Sequence, residues 1–275
     1  MEHPLASLES IQAALTPEKA REVAARHGLA DIVLVRHILE HAHDPRQLVE
    51  ACRNLAKPGG LLVFEMPDCR KVFDGHDHCF IWEEHIAYFT PATLERFLAS
   101  LGFGGVEILV YPYPMEDSLI AVVTNGEREA AVPMAPEGEV ERLRGFSMAF
   151  QDRKARIHLA FDAMHAKGLR VALFGAGHLA AKFINFYGLE RRLTRVVDDN
   201  PEKQRYFMPG SALPIHGSEC LDRGEVDVCL LTLNPESEQK VVRAKAAFVK
   251  GGGAFRSIFS ASPISIDKDM TNDRP

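Results

Sequence analysis

The chain has 275 residues, a net charge of −6, and 46% apolar and 25% charged residues. That composition is ordinary for a globular protein of one or two domains. The acidic balance argues against nucleic-acid binding, which needs a basic face. The five cysteines form no C-x-x-C pair, so reduced thiols in a cytoplasmic protein are expected rather than a disulfide or zinc framework. Neither a signal peptide nor an apolar run of membrane-spanning length is evident, and no membrane partner is expected.

In chain order, Thr16-Pro17 pairs a cap with a first-turn proline and predicts a helix that ends at Gly28. Asp31–Val35 is a short apolar, β-branched run that predicts a buried parallel strand. Asp44-Pro45 opens a second helix, with Gln47 where a capping box wants Glu or Gln. Leu48, Val49, Cys52, Leu55 and Ala56 share one face of it, and Pro58-Gly59-Gly60 stop it. Leu61–Phe64 is the next strand. The strand–helix–strand unit implies a parallel sheet with helices on its faces.

After Pro67 the periodicity fails. The segment from Asp68 to Phe89 is rich in histidine, acid and aromatic residues and reads as a loop past the carboxyl end of a strand, where open α/β folds carry function. Thr90-Pro91 begins a helix, and 106–111 and 118–124 read as strands joined by a turn at 112–117. Residues 125–138 form an Ala/Pro-rich linker, and 139–167 a long connecting helix ended by Gly168. A second α/β unit follows, with strands at 170–174, 194–197, 227–231 and 255–259 and a helix at 236–249. The expected division is 1–124, a linker and helix at 125–168, a Rossmann-like domain at 169–260, and a polar, frayed tail at 261–275.

Three constellations carry chemistry. Gly175-x-Gly177-x-x-Ala180 follows a strand, opens a helix and precedes the acidic pair Asp198-Asp199 at the end of the next strand. This is the context of a dinucleotide or phosphate-ester site, and equally that of a tight strand–helix corner. Glu83-Glu84-His85, with Trp82, Tyr88, His76 and His78 nearby, has the residue types of a general acid/base pair, of a metal site, or of a solvated polar loop. His37, Glu40, His41 and His43 follow the first core strand on the crevice side of the sheet, and read equally as ligand-contacting residues or as ordinary polar residues of a strand–helix turn.

Taken together, Arg36–Pro45 (RHILEHAHDP), Ala56–Pro67 (AKPGGLLVFEMP) and Glu84–Leu94 (EHIAYFTPATL) resemble S-adenosylmethionine-dependent nucleotide-sugar C-methyltransferases. Gly175–Asn185 (GAGHLAAKFIN), Val197–Lys203 and Met208–Ile215 resemble that family's C-terminal domain. The resemblance implies a partial class I methyltransferase sheet followed by a second Rossmann-like α/β domain. It implies methyl transfer from S-adenosylmethionine to a nucleotide-activated deoxy or keto sugar. His85 would be the general base with Glu84 assisting, and His37 and His41 would meet the cofactor. Trp82, Tyr88, Gly175, Gly177, His178 and Asp198 would meet the substrate, and no resident metal is assigned. Trp82 stands where the family has tyrosine, and Glu83 where it has histidine.

The resemblance begins at the helix before the family's fourth strand. The zinc module, the first strand with its glycine-rich turn, and the ribose-holding acid have no counterpart, so the cofactor site is expected to be incomplete. The strand Asp31–Val35 is then expected to lack one neighbour. A fragment of a longer reading frame, a partner chain supplying the missing half, or self-association through that edge would each answer this. The rival readings are a non-catalytic nucleotide-sugar-binding or assembly protein and an NAD(P)-dependent oxidoreductase built on the glycine turn.

Overall fold

The computed structural model describes residues 10–114, 116–126 and 137–267. The chain forms two compact units. Unit 1 comprises Met1–Asp68, Glu83–Pro112 and Asp117–Pro136, and unit 2 comprises Cys69–Trp82, Tyr113–Glu116 and Glu137–Pro275. No single cut separates them: part of the aperiodic loop and the turn after residue 112 group with the second unit rather than the first. Most of the predicted linker lies outside the described residues.

In unit 1, helix α1 (Pro17–His27) is capped by Thr16, whose hydroxyl accepts from the Lys19 N–H at 3.2 Å. Strand β1 (Ala30–Arg36) leads into a short 3-10 turn (Leu39–His41) and then α2 (Pro45–Leu55). Asp44 caps α2 by accepting the Gln47 N–H at 3.0 Å. Strand β2 (Ala56–Asp68) runs through the expected Pro-Gly-Gly stop and is much longer than the predicted 61–64. Asn125 secures the junction: its amide donates to the carbonyls of Arg53, Ala56 and Lys57 at 3.1, 2.9 and 3.3 Å.

The apparently irregular loop holds helix α3 (Arg70–Asp74) and a second 3-10 turn (His78–Phe80), both in unit 2. Back in unit 1, α4 (Pro91–Ser100) carries a Thr90/Thr93 capping box, and β3 (Glu107–Tyr111) and β4 (Asp117–Thr124) complete the sheet. The strand order is β1-β2-β4-β3. β1 and β2 are parallel, and the other two pairings are antiparallel. Period-2 alternation puts Leu62, Phe64 and Met66 of β2 and Leu119, Ala121 and Val123 of β4 on one face, packed with Leu48, Val49 and Cys52 of α2 and Leu94 and Leu98 of α4. The other face is open, with Ile32 54% and Leu34 65% exposed. Among the described residues β1 pairs with β2 alone, so the apolar run read as a buried strand is an edge strand.

Unit 2 contains the long helix α5 (Glu139–Ala166) and a parallel sheet of five strands in the order β7-β6-β5-β8-β9. These are β5 (Val171–Phe174), β6 (Arg195–Val197), β7 (Ile215–His216), β8 (Val228–Leu231) and β9 (Ala254–Ser257). The helices are α6 (His178–Tyr187), α7 (Glu219–Asp222), α8 (Pro235–Ala244) and α9 (Ala246–Lys250). The expected helix at 236–249 therefore breaks in two at Lys245. Strands β5 and β8 are buried at every position, as central strands of a doubly covered parallel sheet must be. The segment after Ser260 packs rather than frays as far as residue 267: Ser265 and Ile266 are buried, and Ser265 bridges to Ser257. All five cysteines are free and buried, and burial pushes the Cys52 thiol up to about 11.

Arg153 of α5 ties unit 2 together. It is 4% exposed and donates to the carbonyl of His76 at 2.8 Å, the Asp77 carboxylate at 3.0 Å and the carbonyl of Ile258 at 2.6 Å. Burial pushes the Asp77 carboxyl up, and the Arg153 charge opposes that. Arg153→Met would leave a buried acid and two carbonyls without this donor. It should cost about 3–5 kcal/mol, roughly a 10 °C fall in the calorimetric midpoint; an unchanged midpoint would show that the network holds nothing.

Candidate functional site

In unit 1 the candidate residues gather past the carboxyl ends of β1 and β2. The ladder continues one step beyond β1, where the His37 N–H donates to the Glu65 carbonyl at 2.8 Å. His37 takes a left-handed backbone, φ +51°, which turns the chain sharply into the Leu39–His41 turn. Glu65 is held by Arg36 and accepts from the Ser118 hydroxyl at 3.3 Å, and the Arg36 interaction holds its carboxyl below the usual range.

The Glu40–His41 turn fixes the loop that carries His85. The Glu40 carbonyl accepts the N–H groups of Ile86 and Ala87 at 2.7 and 3.0 Å. His41 Nδ1 lies 3.0 Å from the Glu84 carbonyl. A carbonyl only accepts, so Nδ1 carries a proton, and in the neutral ring it is Nε2 that holds the lone pair. The rings of His41 and His85 meet edge to face, with centroids 4.7 Å apart and planes at 86°. Tyr88 stands beyond, 5.9 Å from the His85 ring. Glu40 is 2% exposed, and neither of its carboxylate oxygens has a hydrogen-bond partner among the described residues. His37 Nδ1 is 3.4 Å from one of them.

The structure thus brings together His37, His41, His85 and Tyr88 of the predicted set. Glu84 contributes its carbonyl, while its side chain is exposed. The buried carboxylate of the cluster is Glu40, which the sequence places with His37, His41 and His43 on the crevice side of the sheet. The signal was its place in His37-x-x-Glu40-His41, directly after a strand.

Trp82 lies in unit 2. Lys182 of α6 places its ammonium 3.5 Å from the centroid of the indole, and His178 at the start of α6 meets the same ring at 5.7 Å. A cation over an indole face is a favourable pairing. His78, from the candidate metal set, has a structural role: its Nε2–H donates to the Phe146 carbonyl at 2.7 Å, and the Tyr187 hydroxyl lies 3.4 Å from Nδ1. Burial pushes the His78 imidazole down. His76 and His78 group with unit 2 and His85 with unit 1.

The glycine turn also has internal reasons for its form. Gly175 has φ +103°, and a Cβ there would lie 2.9 Å from Leu233 Cδ2 and 3.0 Å from Thr232 Oγ1. The Thr232 hydroxyl donates to the Phe174 and Gly175 carbonyls at 2.8 and 3.0 Å, closing the β5 and β8 ends. Asp198 accepts the Ala176 N–H at 2.7 Å and the Asn200 N–H at 2.8 Å, with Lys203 at 3.2 Å. Its carboxylate is spent on the turn itself. At Gly177, which caps α6, a Cβ would meet nothing within 4 Å. Separately, a cavity of about 770 Å³ lies past β8 and β9, lined by Phe80, Val242 and Phe259 with Lys71 and Arg243. Glu238 on its wall accepts from Ser257 and Ser262, and burial pushes its carboxyl up.

Two units, one a mixed sheet begun by a parallel strand–helix–strand and one a fully parallel five-stranded sheet, define an α/β protein of Rossmann-like type. The chain belongs to the family described as C-methyltransferase C-terminal domain, which it matches over residues 117–259, and residues 3–108 match a methyltransferase domain family. It is 27% identical over 265 residues to the C-methyltransferase NovU of Streptomyces niveus, covering 90% of this chain and 61% of NovU. A shorter stretch of 62 residues is 45% identical to a ubiquinone biosynthesis O-methyltransferase of Escherichia coli, covering 22% of this chain and 26% of that protein. Among solved structures, a SAM-dependent methyltransferase from Archaeoglobus fulgidus matches with a TM-score of 0.33 and 18% identity, over 42% of this chain and 68% of that one. No helix among the described residues is long and apolar enough to cross a membrane.

The two glycines separate packing from ligand approach. Gly175→Ala should cost about 1–3 kcal/mol through its backbone conformation and the contact with Thr232 and Leu233, read as a fall in thermal midpoint. Gly177→Ala should leave the midpoint within about 1 kcal/mol equivalent. Equal effects would show that the turn is not shaped by Thr232 and Leu233.

Proposed function

We propose that this protein serves S-adenosylmethionine-dependent C-methylation of a nucleotide-activated keto or deoxy sugar. The observation that carries the reading is the His41–His85 pair with the buried Glu40 carboxylate, locked past the carboxyl ends of β1 and β2 in the unit that matches a methyltransferase domain. The family match and the similarity to NovU support methyl transfer to carbon, and the sugar class rests on the sequence motifs.

The residues present fit part of a donor site. His37, Glu40 and His41 offer polar side chains, one of them buried and without a hydrogen-bond partner among the described residues, at the end of a parallel strand where open sheets take ligands. A glycine-rich turn preceding them is not among the described residues. S-adenosylmethionine supplies, when bound, a methyl group activated by an adjacent positive sulfonium.

The chain's own contribution is positioning and proton removal. His85 is the base: its imidazole takes the proton from the carbon beside the sugar carbonyl, leaving an electron pair on that carbon. The neighbouring Glu40 carboxylate stabilises the positive charge that His85 then carries. The His41–Glu84 and Glu40–Ile86/Ala87 hydrogen bonds keep His85 in place, so little reorganisation is needed at the moment of transfer. Tyr88 borders the base. The glycine turn favours the oxidoreductase alternative less, because Asp198 is engaged by Ala176, Asn200 and Lys203 rather than open to a ribose hydroxyl.

Calorimetric titration of the purified chain with S-adenosylmethionine, and separately with NADH, tests the class: micromolar binding of the first is expected, and binding of NADH alone would sink the reading. In a preparation active in methyl transfer, His85→Ala should lower the rate by about 10²–10⁴-fold; survival within a few-fold would remove His85 as the base.

A further inference from the structure

We propose that Glu40, His41 and His85 form a binding site for a divalent cation of the zinc class. One ligand atom from each residue lies within 4.8 Å of the others. Donors arranged around a four-coordinate zinc at ~2.0–2.2 Å are separated by about 3.5 Å, so the set has to tighten only modestly to hold an ion. All three residues belong to unit 1, and all sit on one hydrogen-bonded corner.

Four features favour a cation over an ordinary polar cluster. First, Glu40 is almost fully buried, and both of its oxygens are without hydrogen bonds among the described residues. A desolvated carboxylate is costly unless a positive charge or donors meet it. His37 Nδ1 at 3.4 Å approaches one oxygen and leaves the other to be met.

Second, His41 already has the supporting hydrogen bond that metal-bound histidines use. Nδ1–H is committed to the Glu84 carbonyl, which fixes the tautomer and leaves Nε2 as the ligating nitrogen. Third, the His41 and His85 rings are immediate neighbours, with centroids 4.7 Å apart and the edge of one turned to the face of the other, so the second imidazole lies within reach of the first. Fourth, the backbone holds the donors in register before any ion arrives, since the Glu40 carbonyl takes both Ile86 N–H and Ala87 N–H.

The donor set selects the ion. Two neutral imidazoles and one carboxylate suit zinc and its first-row neighbours better than magnesium or calcium, which prefer all-oxygen shells. Three protein ligands also leave a coordination position for water or a substrate oxygen, the pattern of an open site rather than a structural one.

The inference goes beyond the methyl-transfer reading and does not require it. Where that reading holds, it has one consequence. A cation on His85 occupies the lone pair that would take the proton, so the ion-bound and proton-accepting states exclude each other.

The test is a calorimetric titration of the full chain, stripped with chelator, with zinc chloride alone. One saturable site is expected in the wild type and in His43→Ala, an exposed neighbour outside the cluster. Glu40→Gln and His41→Ala should each weaken it by at least about 100-fold. Cobalt(II) in place of zinc should give the visible absorption of a low-coordinate histidine-ligated ion, absent from both variants. Thermal melts of the metal-free variants establish that they fold, and His41→Ala, which leaves the core untouched, stands in should Glu40→Gln fail to. No saturable binding, or binding of equal strength in wild type and both variants, would overturn the proposal. The titration contains neither methyl donor nor acceptor, so its failure leaves the methyl-transfer reading untouched, and failure of that reading leaves this one standing.

Discussion

The site in unit 1 depends on one hydrogen-bonded corner. The Glu40 carbonyl accepts two N–H groups from Ile86 and Ala87, and the His41 ring donates to the Glu84 carbonyl. These bonds join segments separated by more than 40 residues of sequence. They also set how the His41 and His85 rings meet, edge to face. Behind the corner stands the parallel pairing of β1 with β2, extended by His37 N–H to Glu65. Without that ladder the turn would have no fixed origin, and His85 would ride on a loop with few anchors. A polar cluster is precise only when its supports are more rigid than itself, and here the supports are backbone.

The same economy governs the glycine turn of unit 2. A turn between strand and helix leaves N–H groups without helical partners. Ala176 N–H is answered by Asp198, and the Thr232 hydroxyl answers the Phe174 and Gly175 carbonyls. Two features that a motif reading assigns to a nucleotide (first glycine, terminal acid) are therefore accounted for by the turn's own hydrogen bonding and packing. Only Gly177 faces open space. The fingerprint is real as geometry, and its ligand has to be argued from elsewhere.

Much of the fold was legible because its signals are local. Thr16-Pro17, Asp44-Pro45 and Thr90-Pro91 each start a helix where the cap and proline say so. Alternating burial marks β2 and β4, and continuous burial marks β5 and β8. What was not legible depends on distant partners. The segment after Pro67 hides a helix and a 3-10 turn because Arg153 and Phe146, some 70 residues on, satisfy its polar groups. Strand β2 outruns its predicted length because Asn125 pairs with the backbone at Gly59 and Gly60. Among the site residues, His37, His41 and His85 were legible as chemistry-bearing types near strand ends. The sequence places Glu40 in that group without distinguishing it, because burial cannot be read from its neighbours in sequence. Glu84 was credited with a carboxylate role, whereas it is its carbonyl that the structure uses.

Glu40 is where fold and function press on each other most. Nothing in the packing of the sheet requires an acid there. An apolar residue of the same size would fill the space beside Leu39 without a desolvation cost of about 1–3 kcal/mol. The backbone bonds that pin the 84–87 loop use the Glu40 carbonyl, which any residue would supply. The side chain is therefore not explained by the fold. A carboxylate kept dry next to three imidazoles stabilises whatever positive charge arrives among them. A proton taken up by His85 and a metal ion held by His41 and His85 are the two charges that these donor atoms can accept. Both draw on the same carboxylate, so the corner can answer one of them at a time.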